Sequence, residues 1–159
     1  MSIVRNFSQI ADNIDPTGVL GPAAGGTGAT TLAAANIVTY NGIEVLTNKR
    51  ITPRIIPITS SATITPTGDT ADQYEVTALA LAATVAVPSG TPVDGQKLIL
   101  RIKDNGTAQA LTWTITTGGY RVIGNTLPIT TVVSKTLYIG CIYNSADLFW
   151  DVIAIAQQA

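Results

Sequence analysis

Acidic side chains are the residues of this sequence that could most directly do chemistry. Two carboxylates about 5–9 Å apart can hydrolyse a glycosidic bond, one acting as acid and the other as base or nucleophile. Three of the acids stand beside glycine or an Asn-Gly pair, where turn formation explains them. Glu75 and Asp151 fall on predicted strands and are left as candidates for such a pair. The full set of candidates is Asp69, Asp72, Glu75, Asp94, Asp104, Asp147 and Asp151.

Histidine, which most acid–base and metal chemistry would use, does not occur in the sequence. Its absence removes the commonest general base near neutral pH and the commonest metal ligand. The single cysteine, Cys141, lies in an apolar run, which predicts a buried and unreactive thiol. Ser134 and Lys135 are adjacent but lack a third catalytic group, and the glycine run at 25–28 lacks the Gly-Lys-Ser/Thr of a phosphate loop. We therefore expect no enzymatic activity, no metal site and no cofactor.

Aromatic side chains could line a sugar-binding groove or pack in a core. The two tryptophans lie on predicted strands, where packing in the core or at a subunit interface is the more usual role. Tyr120 follows Gly118 and Gly119 and is expected to be the most exposed of the aromatics. The residues that a glycan groove would draw on are Trp113, Trp150, Tyr120, Tyr138 and Tyr143.

The elements that must position these side chains are predicted to be short strands. Leu98, Leu100 and Ile102 alternate with charged residues, as in a strand with one buried face. Leu111, Trp113 and Ile115 are expected to point inward on the next strand. The runs at 137–143 and 149–155 are apolar at nearly every position, which predicts central strands covered on both faces. The predicted strands are 60–65, 72–78, 83–87, 96–103, 109–115, 131–134, 136–143 and 148–156.

About eight short strands separated by turn residues favour an all-β fold, here a jelly-roll-like β-sandwich head at 57–159. The preceding residues, 1–56, are predicted to form an extended N-terminal attachment arm, because their glycine-rich part has little to pack and much entropy to lose. Within the arm, the sequence of residues 6–14 predicts a short helix. Its apolar face, made by Phe7, Ile10 and Ile14, needs a surface to cover it, either the head itself or another protein.

The composition limits the kinds of partner that this protein can have. Charged residues make up 12% of the chain and the formal net charge is −1. Soluble domains usually carry about 25% charged residues, so much of the surface is expected to be buried against partners or covered by Thr and Ser. No basic patch suggests nucleic-acid binding, and no long apolar run suggests membrane insertion. No signal peptide is evident either, which favours cytosolic synthesis.

Two short motifs in the arm carry a family resemblance. The run GGTGATT at 25–31, followed by LTNKRI at 46–51, resembles motifs that recur in tail-fibre and other virion structural proteins of tailed bacteriophages. The runs DGQKLILRIKDNGT at 94–107 and YIGCIYN at 138–144 resemble the C-terminal head module found beside those motifs.

This resemblance implies a virion structural protein made in the host cytoplasm. It further implies a homotrimeric fibre or decoration subunit, anchored to capsid, collar or tail proteins by its N-terminal arm. The alternative is a receptor-binding tail-fibre head that recognises a glycan of the host surface. A recessed groove with aromatic or carboxylate side chains would favour receptor binding, whereas a smooth Thr/Ser/Gly surface would favour decoration.

Overall fold

The computed structural model of the protein describes residues 50–159. Within them, Ile51–Ala159 form one compact unit. Residues 51–56, which the sequence assigned to the arm, therefore lie in this unit. The predicted helix at 6–14, with Phe7, Ile10 and Ile14, lies outside the described residues, as does the GGTGATT run.

The described residues form nine strands in two sheets, and no helix is found among them. The prediction of an all-β fold is confirmed. A six-stranded sheet has the order β1-β3-β5-β8-β9-β7, and a three-stranded sheet has the order β2-β4-β6. The strands are β1 Ile55–Ile58, β2 Thr63–Ile64, β3 Gln73–Leu79, β4 Ala83–Val85, β5 Lys97–Asp104, β6 Leu111–Trp113, β7 Tyr120–Val122, β8 Thr136–Asn144 and β9 Phe149–Gln157.

The first six strands alternate between the two sheets, so the chain winds through three coils. Each coil places one strand in the six-stranded sheet and the next in the three-stranded sheet. The pairings β1–β3, β3–β5, β2–β4 and β4–β6 are all parallel. A parallel bridge from Thr67 to Ser89 joins the first two coils outside the named strands. Successive coils therefore stack on one another like the turns of a β-solenoid.

The last three strands close this stack. β8 pairs antiparallel with β5, and β9 pairs antiparallel with β8 across the turn that follows Asn144. β7 then pairs with β9 in parallel and forms the far edge of the large sheet. A jelly roll is made of antiparallel pairs. The observed strand connectivity, with its four parallel pairings, therefore differs from the predicted jelly roll. The alternation of apolar residues reveals which face a strand buries, but it does not reveal which strand lies beside it.

Observed strands overlap every predicted strand except the one at 131–134. That segment is instead a loop held by the buried Asp104, whose carboxylate accepts hydrogen bonds from the Ser134 N–H (2.9 Å) and the Thr131 hydroxyl (3.0 Å). Ser134 has a φ of 61° there, which no strand residue adopts. β1 and β7 were not among the predicted strands.

The core lies between the sheets and follows the predicted alternation. In β5, Leu98, Leu100 and Ile102 are buried, whereas Lys97 and Ile99 are exposed. β8 and β9 are central in the strand order, as predicted. The expectation that both of their faces are covered is wrong within the described residues: Tyr138 is 41% exposed and Ile153 is 53% exposed.

Four aromatic rings fill the end of the core beneath β7 and β9. Trp113 and Tyr120 pack edge to face with centroids 5.3 Å apart, and Tyr143 and Trp150 lie 5.2 Å apart. The predicted exposure of Tyr120 is wrong, since that side chain is fully buried. The reason is the preceding Gly119, where a Cβ atom would stand 2.1 Å from the Thr114 carbonyl oxygen. That close approach of two backbones turns Tyr120 into the core.

Candidate functional site

A groove of about 300 Å³ opens at the β7 edge of the six-stranded sheet. It is the candidate binding site of the described residues. Its walls are mainly aliphatic and aromatic, and its one charged lining residue is Arg121. The lining residues are Ile115, Tyr120, Arg121, Val122, Leu127 and Phe149.

β7 and β9 position the walls of this groove. Tyr120 pairs with Trp150, and Val122 pairs with Val152, which fixes β7 against the buried part of β9. Tyr120 and Val122 lie on the same face of β7, but Tyr120 is buried in the core, while Val122 stays 38% exposed. Ile115 was expected to point inward after Trp113, but it is 67% exposed. β6 ends at Trp113, so its alternation does not continue to Ile115.

Arg121 is held by two carboxylates at the rim of the groove. Its Nε and Nη2 lie 2.7 and 3.0 Å from the two carboxylate oxygens of Asp151, and its Nη1 lies 2.8 Å from Asp147. The guanidinium carbon also sits 5.2 Å from the centre of the Phe149 ring, within the range of a cation–π contact. The positive charge of Arg121 is therefore already neutralised within the protein.

Asp147 and Asp151 are the two candidate carboxylates that the fold brings together. The Asn144 amide nitrogen lies 3.2 Å from Asp147 and 3.4 Å from Asp151, and Arg121 contacts both. The hydrogen bond from Arg121 lowers the pKa of Asp151, burial opposes this effect, and the Asn144 amide adds to it. A general acid needs a raised pKa, so Asp151 is arranged to hold Arg121 rather than to donate a proton.

The remaining candidate carboxylates hold turns and neighbouring strands. Asp69 accepts the Thr91 N–H at 2.7 Å, and Asp94 accepts the Ser145 N–H at 2.9 Å. Asp104 accepts the Gly106 N–H at 2.9 Å and binds the 131–134 loop as described. The turn interpretation is confirmed for Asp104, whose bond to Gly106 is local, whereas Asp69 and Asp94 bind backbone groups far away in the chain. The other two acids form ion pairs across parallel strands, Asp72 with Arg54 and Glu75 with Arg101.

Ser134 and Lys135 do not form a catalytic pair in the structure. The Ser134 N–H binds Asp104, and the Lys135 Nζ donates to the carbonyl oxygen of Ala159. Cys141 is 2% exposed, and burial raises the pKa of its thiol to about 12, as expected for an unreactive cysteine. The described residues contain no cluster of three or more metal-ligating side chains, and no helix among them could span a membrane.

Sequence reasoning missed most of the groove. Val122 and Leu127 lie in segments without a readable period, and the exposure of Ile115 was misjudged. The available signal was Arg121 between two apolar residues and close to Gly118 and Gly119, since an isolated arginine in an apolar run usually has a carboxylate partner. Comparisons with protein-family models, curated proteins and solved structures gave no match to this chain.

Proposed function

We propose that this protein is a structural subunit of a tailed-bacteriophage virion, a fibre or decoration protein whose N-terminal arm, before the compact unit that begins at Ile51, attaches it to the particle. The motifs GGTGATT and LTNKRI support this assignment by their resemblance to phage virion proteins. The observation that carries it is the amount of apolar surface on a weakly charged head. Many large apolar side chains of the described residues are exposed, among them Ile51, Ile115 and Ile129 at 67–79%.

The outer face of the six-stranded sheet is the surface that best supports a homotrimer. Ile99, Tyr138 and Ile153 are 41–53% exposed on its central strands. Between these three side chains the sheet surface is recessed, because the small residues Gly140 and Ala154 pair in register. A Cβ on Gly140 would touch the Ala154 methyl group at 3.4 Å. A low apolar strip on a sheet lets another subunit approach closely. Burial of each subunit in an obligate interface would total about 2,000 Å² or more.

The attachment role is assigned to the arm. Its predicted helix carries Phe7, Ile10 and Ile14 on one face, and other virion proteins in the capsid, collar or tail would cover them. Replacing all three by Ser should leave the head folded and trimeric but release the protein from particles. Full occupancy of the triple variant on particles, measured by electron cryo-microscopy, would exclude this anchor.

The trimer is tested with a matched pair of substitutions. Ile99 and Leu81 are both 42% exposed, but Ile99 lies on the outer face of the sheet and Leu81 in the turn between β3 and β4. Sedimentation of the full chain at micromolar concentration should show a trimer for the wild type and for Leu81→Lys. Ile99→Lys should be monomeric. A monomeric wild type would exclude the trimer.

The second candidate function is recognition of a host-surface glycan by the head. The observation that favours it is the half-buried Phe149 ring beside Arg121, Asp147 and Asp151, since aromatic faces and carboxylates bind sugars. Most of the groove wall is aliphatic, which favours the structural assignment. Binding of the full chain to immobilised host-surface polysaccharide, lost in Phe149→Ala, would establish the receptor function.

A further inference from the structure

An Asn-Gly pair stands directly after β5, beside a buried carboxylate. Asn105 and Gly106 are both exposed, and Gly106 has a φ of 100°, a backbone conformation that favours glycine. The Asn105 N–H donates to the Leu79 carbonyl at 3.1 Å. The backbone on one side of this pair is therefore fixed, while the Asn105 side chain stands in solvent.

Asparagine before glycine is prone to deamidation, because glycine has no side chain to hinder ring closure. The Gly106 nitrogen gives its proton to hydroxide and attacks the Asn105 Cγ. The new C–N bond closes a five-membered succinimide, and ammonia leaves after taking a proton from water. A further water molecule opens the ring at either carbonyl and yields aspartate or isoaspartate. The reaction therefore requires that the Gly106 N–H lose its proton first.

Asp104 holds the N–H on which this reaction depends. Gly106 donates to Oδ1 of Asp104 at 2.9 Å. Asp104 is 2% exposed, and its carboxylate is fixed from the other side by the Ser134 N–H at 2.9 Å and the Thr131 hydroxyl at 3.0 Å. An anionic acceptor strengthens the hydrogen bond, and its charge opposes a second negative charge on the neighbouring nitrogen. Both effects disfavour deprotonation of Gly106.

Deamidation of Asn105 would disturb the contacts that Asp104 makes. An aspartate at this position would place a second negative charge next to Asp104. An isoaspartate would lengthen the main chain by one atom and displace the Gly106 N–H. Because Asp104 pairs with Leu79 at the end of the β3–β5 ladder and also holds the 131–134 loop, the damage would reach both.

We propose that Asn105 is the site at which the head is open to deamidation, and that the buried Asp104 carboxylate slows this modification by holding the Gly106 N–H. The inference goes beyond the proposed virion function and does not depend on it, because the rate of deamidation is measured on the purified chain.

Amide hydrogen exchange of the wild-type chain tests the hold on this N–H without any substitution. Base-catalysed exchange removes the same proton that deamidation must remove. Thr107 is the control, since it is the next exposed residue along the turn. Relative to the urea-unfolded chain, Gly106 should be slowed at least several-fold more than Thr107.

Two variants separate the held N–H from the order of the loop. Asp104→Asn exchanges the anionic acceptor for a neutral one, so deamidation at Asn105 should become on the order of fivefold faster. Thr131→Val removes the hydroxyl bound to the other carboxylate oxygen but keeps the Gly106 hydrogen bond, so its rate should stay close to that of the wild type. Peptide mass spectrometry after incubation of the full chain gives the rates, and the urea-unfolded wild type gives the upper limit.

Four results would overturn the proposal. Gly106 could exchange as readily as Thr107, or Asn105 could deamidate as fast in the folded wild type as in urea. Slower deamidation in Asp104→Asn would make Asp104 a base that assists the reaction. Equal acceleration in Asp104→Asn and Thr131→Val would assign the effect to loop order. If Asp104→Asn does not fold, hydrogen exchange and the urea comparison on the wild type decide the question.

Discussion

The two edges of the six-stranded sheet are closed to different degrees. At the β1 edge, the Gln73 N–H donates to the Arg54 carbonyl at 3.1 Å, so alternation turns Pro57 outward, where it offers no N–H. Proline and charge are common means of keeping an edge strand from pairing with another chain. At the β7 edge, Val122 offers both backbone groups beside an apolar groove. At the β7 edge the Thr114 carbonyl also binds the Tyr120 N–H at 2.9 Å, so the two edges are closed by different means and to different extents.

The ion pair at each edge shows the same contrast. Arg54 binds Asp72 through Nη2 at 2.7 Å and through its own backbone N–H at 2.8 Å, with both side chains more than 40% exposed. Asp151 at the other edge is only 16% exposed. Arg54 ties the first coil to the second, whereas Arg121 neutralises acids beside a groove. An exposed pair contributes little to stability, and a half-buried one contributes more.

The largest effect is expected from Trp150→Ala, which removes the ring beneath β7. Trp150 is 1% exposed and pairs in register with Tyr120. Truncation of a buried tryptophan costs about 3–5 kcal/mol of unfolding free energy. The half-buried Ile58 on β1 is the control, and Ile58→Ala should cost less than about 2 kcal/mol. Urea denaturation measures both, and equal costs would remove the contrast between the edges.

The next largest effect on stability is expected from substitution of the two acids that bind arginine at the sheet edges, Asp151 and Asp72. Asp151→Asn leaves Arg121 with one carboxylate and weakens charged hydrogen bonds in a half-buried position, so it should cost about 1–3 kcal/mol. Asp72→Asn breaks an exposed pair and should cost less than about 1 kcal/mol. Urea midpoints of the two variants give the comparison, and a larger loss in Asp72→Asn would reverse our assignment of the stronger edge.

The acid dependence of stability should follow from the same residues. The pKa values of Asp151 and Asp104 are both lowered on folding. For Asp151 the main cause is the hydrogen bond from Arg121; for Asp104, burial works against the shift and hydrogen bonds from Ser134, Gly106 and Thr131 outweigh it. A lowered pKa contributes stability that is present above the unfolded value near 3.8 and is lost as pH falls through the folded value.

We therefore expect the unfolding free energy to be steady near neutral pH and to fall between about pH 5 and pH 2. Asp151→Asn should flatten this fall, because one of the titrating groups is removed. Thermal melts at a series of pH values measure it. If the unfolding free energy of Asp151→Asn falls with pH as steeply as that of the wild type, Asp151 does not contribute to the acid dependence of stability.

The smallest effect on stability is expected from Pro57→Ala, within about 0.5 kcal/mol, as at most surface positions. The substitution supplies an outward N–H at the β1 edge. Light scattering should then show more self-association than in the wild type, while Ile55→Ala, which adds no donor, should behave like the wild type. Equal scattering of the wild type and Pro57→Ala would show that the proline does not protect this edge.

The sequence predicted the long strands well, because their alternation is a local property. Leu98, Leu100 and Ile102 are buried as expected, and the turn role of Asp104 is confirmed by its bond to the Gly106 N–H. Both inferences rest on residues within a few positions of one another.

The sequence did not predict the parallel coils or the groove. The register of Ile55 with Gln73, and of Gln73 with Ile99, joins residues far apart in the chain, and no local pattern encodes it. Tyr120 was placed on the surface because its flanking glycines suggested a loop, whereas Gly119 provides a close backbone contact. The partners of Arg121 lie about 30 positions away and were likewise not apparent.

The parallel stacking of the coils allows the length of the head to change in whole units. A coil presents to the next one the same ladder by which it binds the previous one, and it contacts only its neighbours. Duplicating residues 73–96 would therefore insert one more layer and lengthen the body by about 4.8 Å, the spacing of neighbouring strands. The β8–β9 hairpin would still seal the stack. Such a head can gain or lose reach through duplication or deletion of a single short stretch of its gene, without redesign of either end.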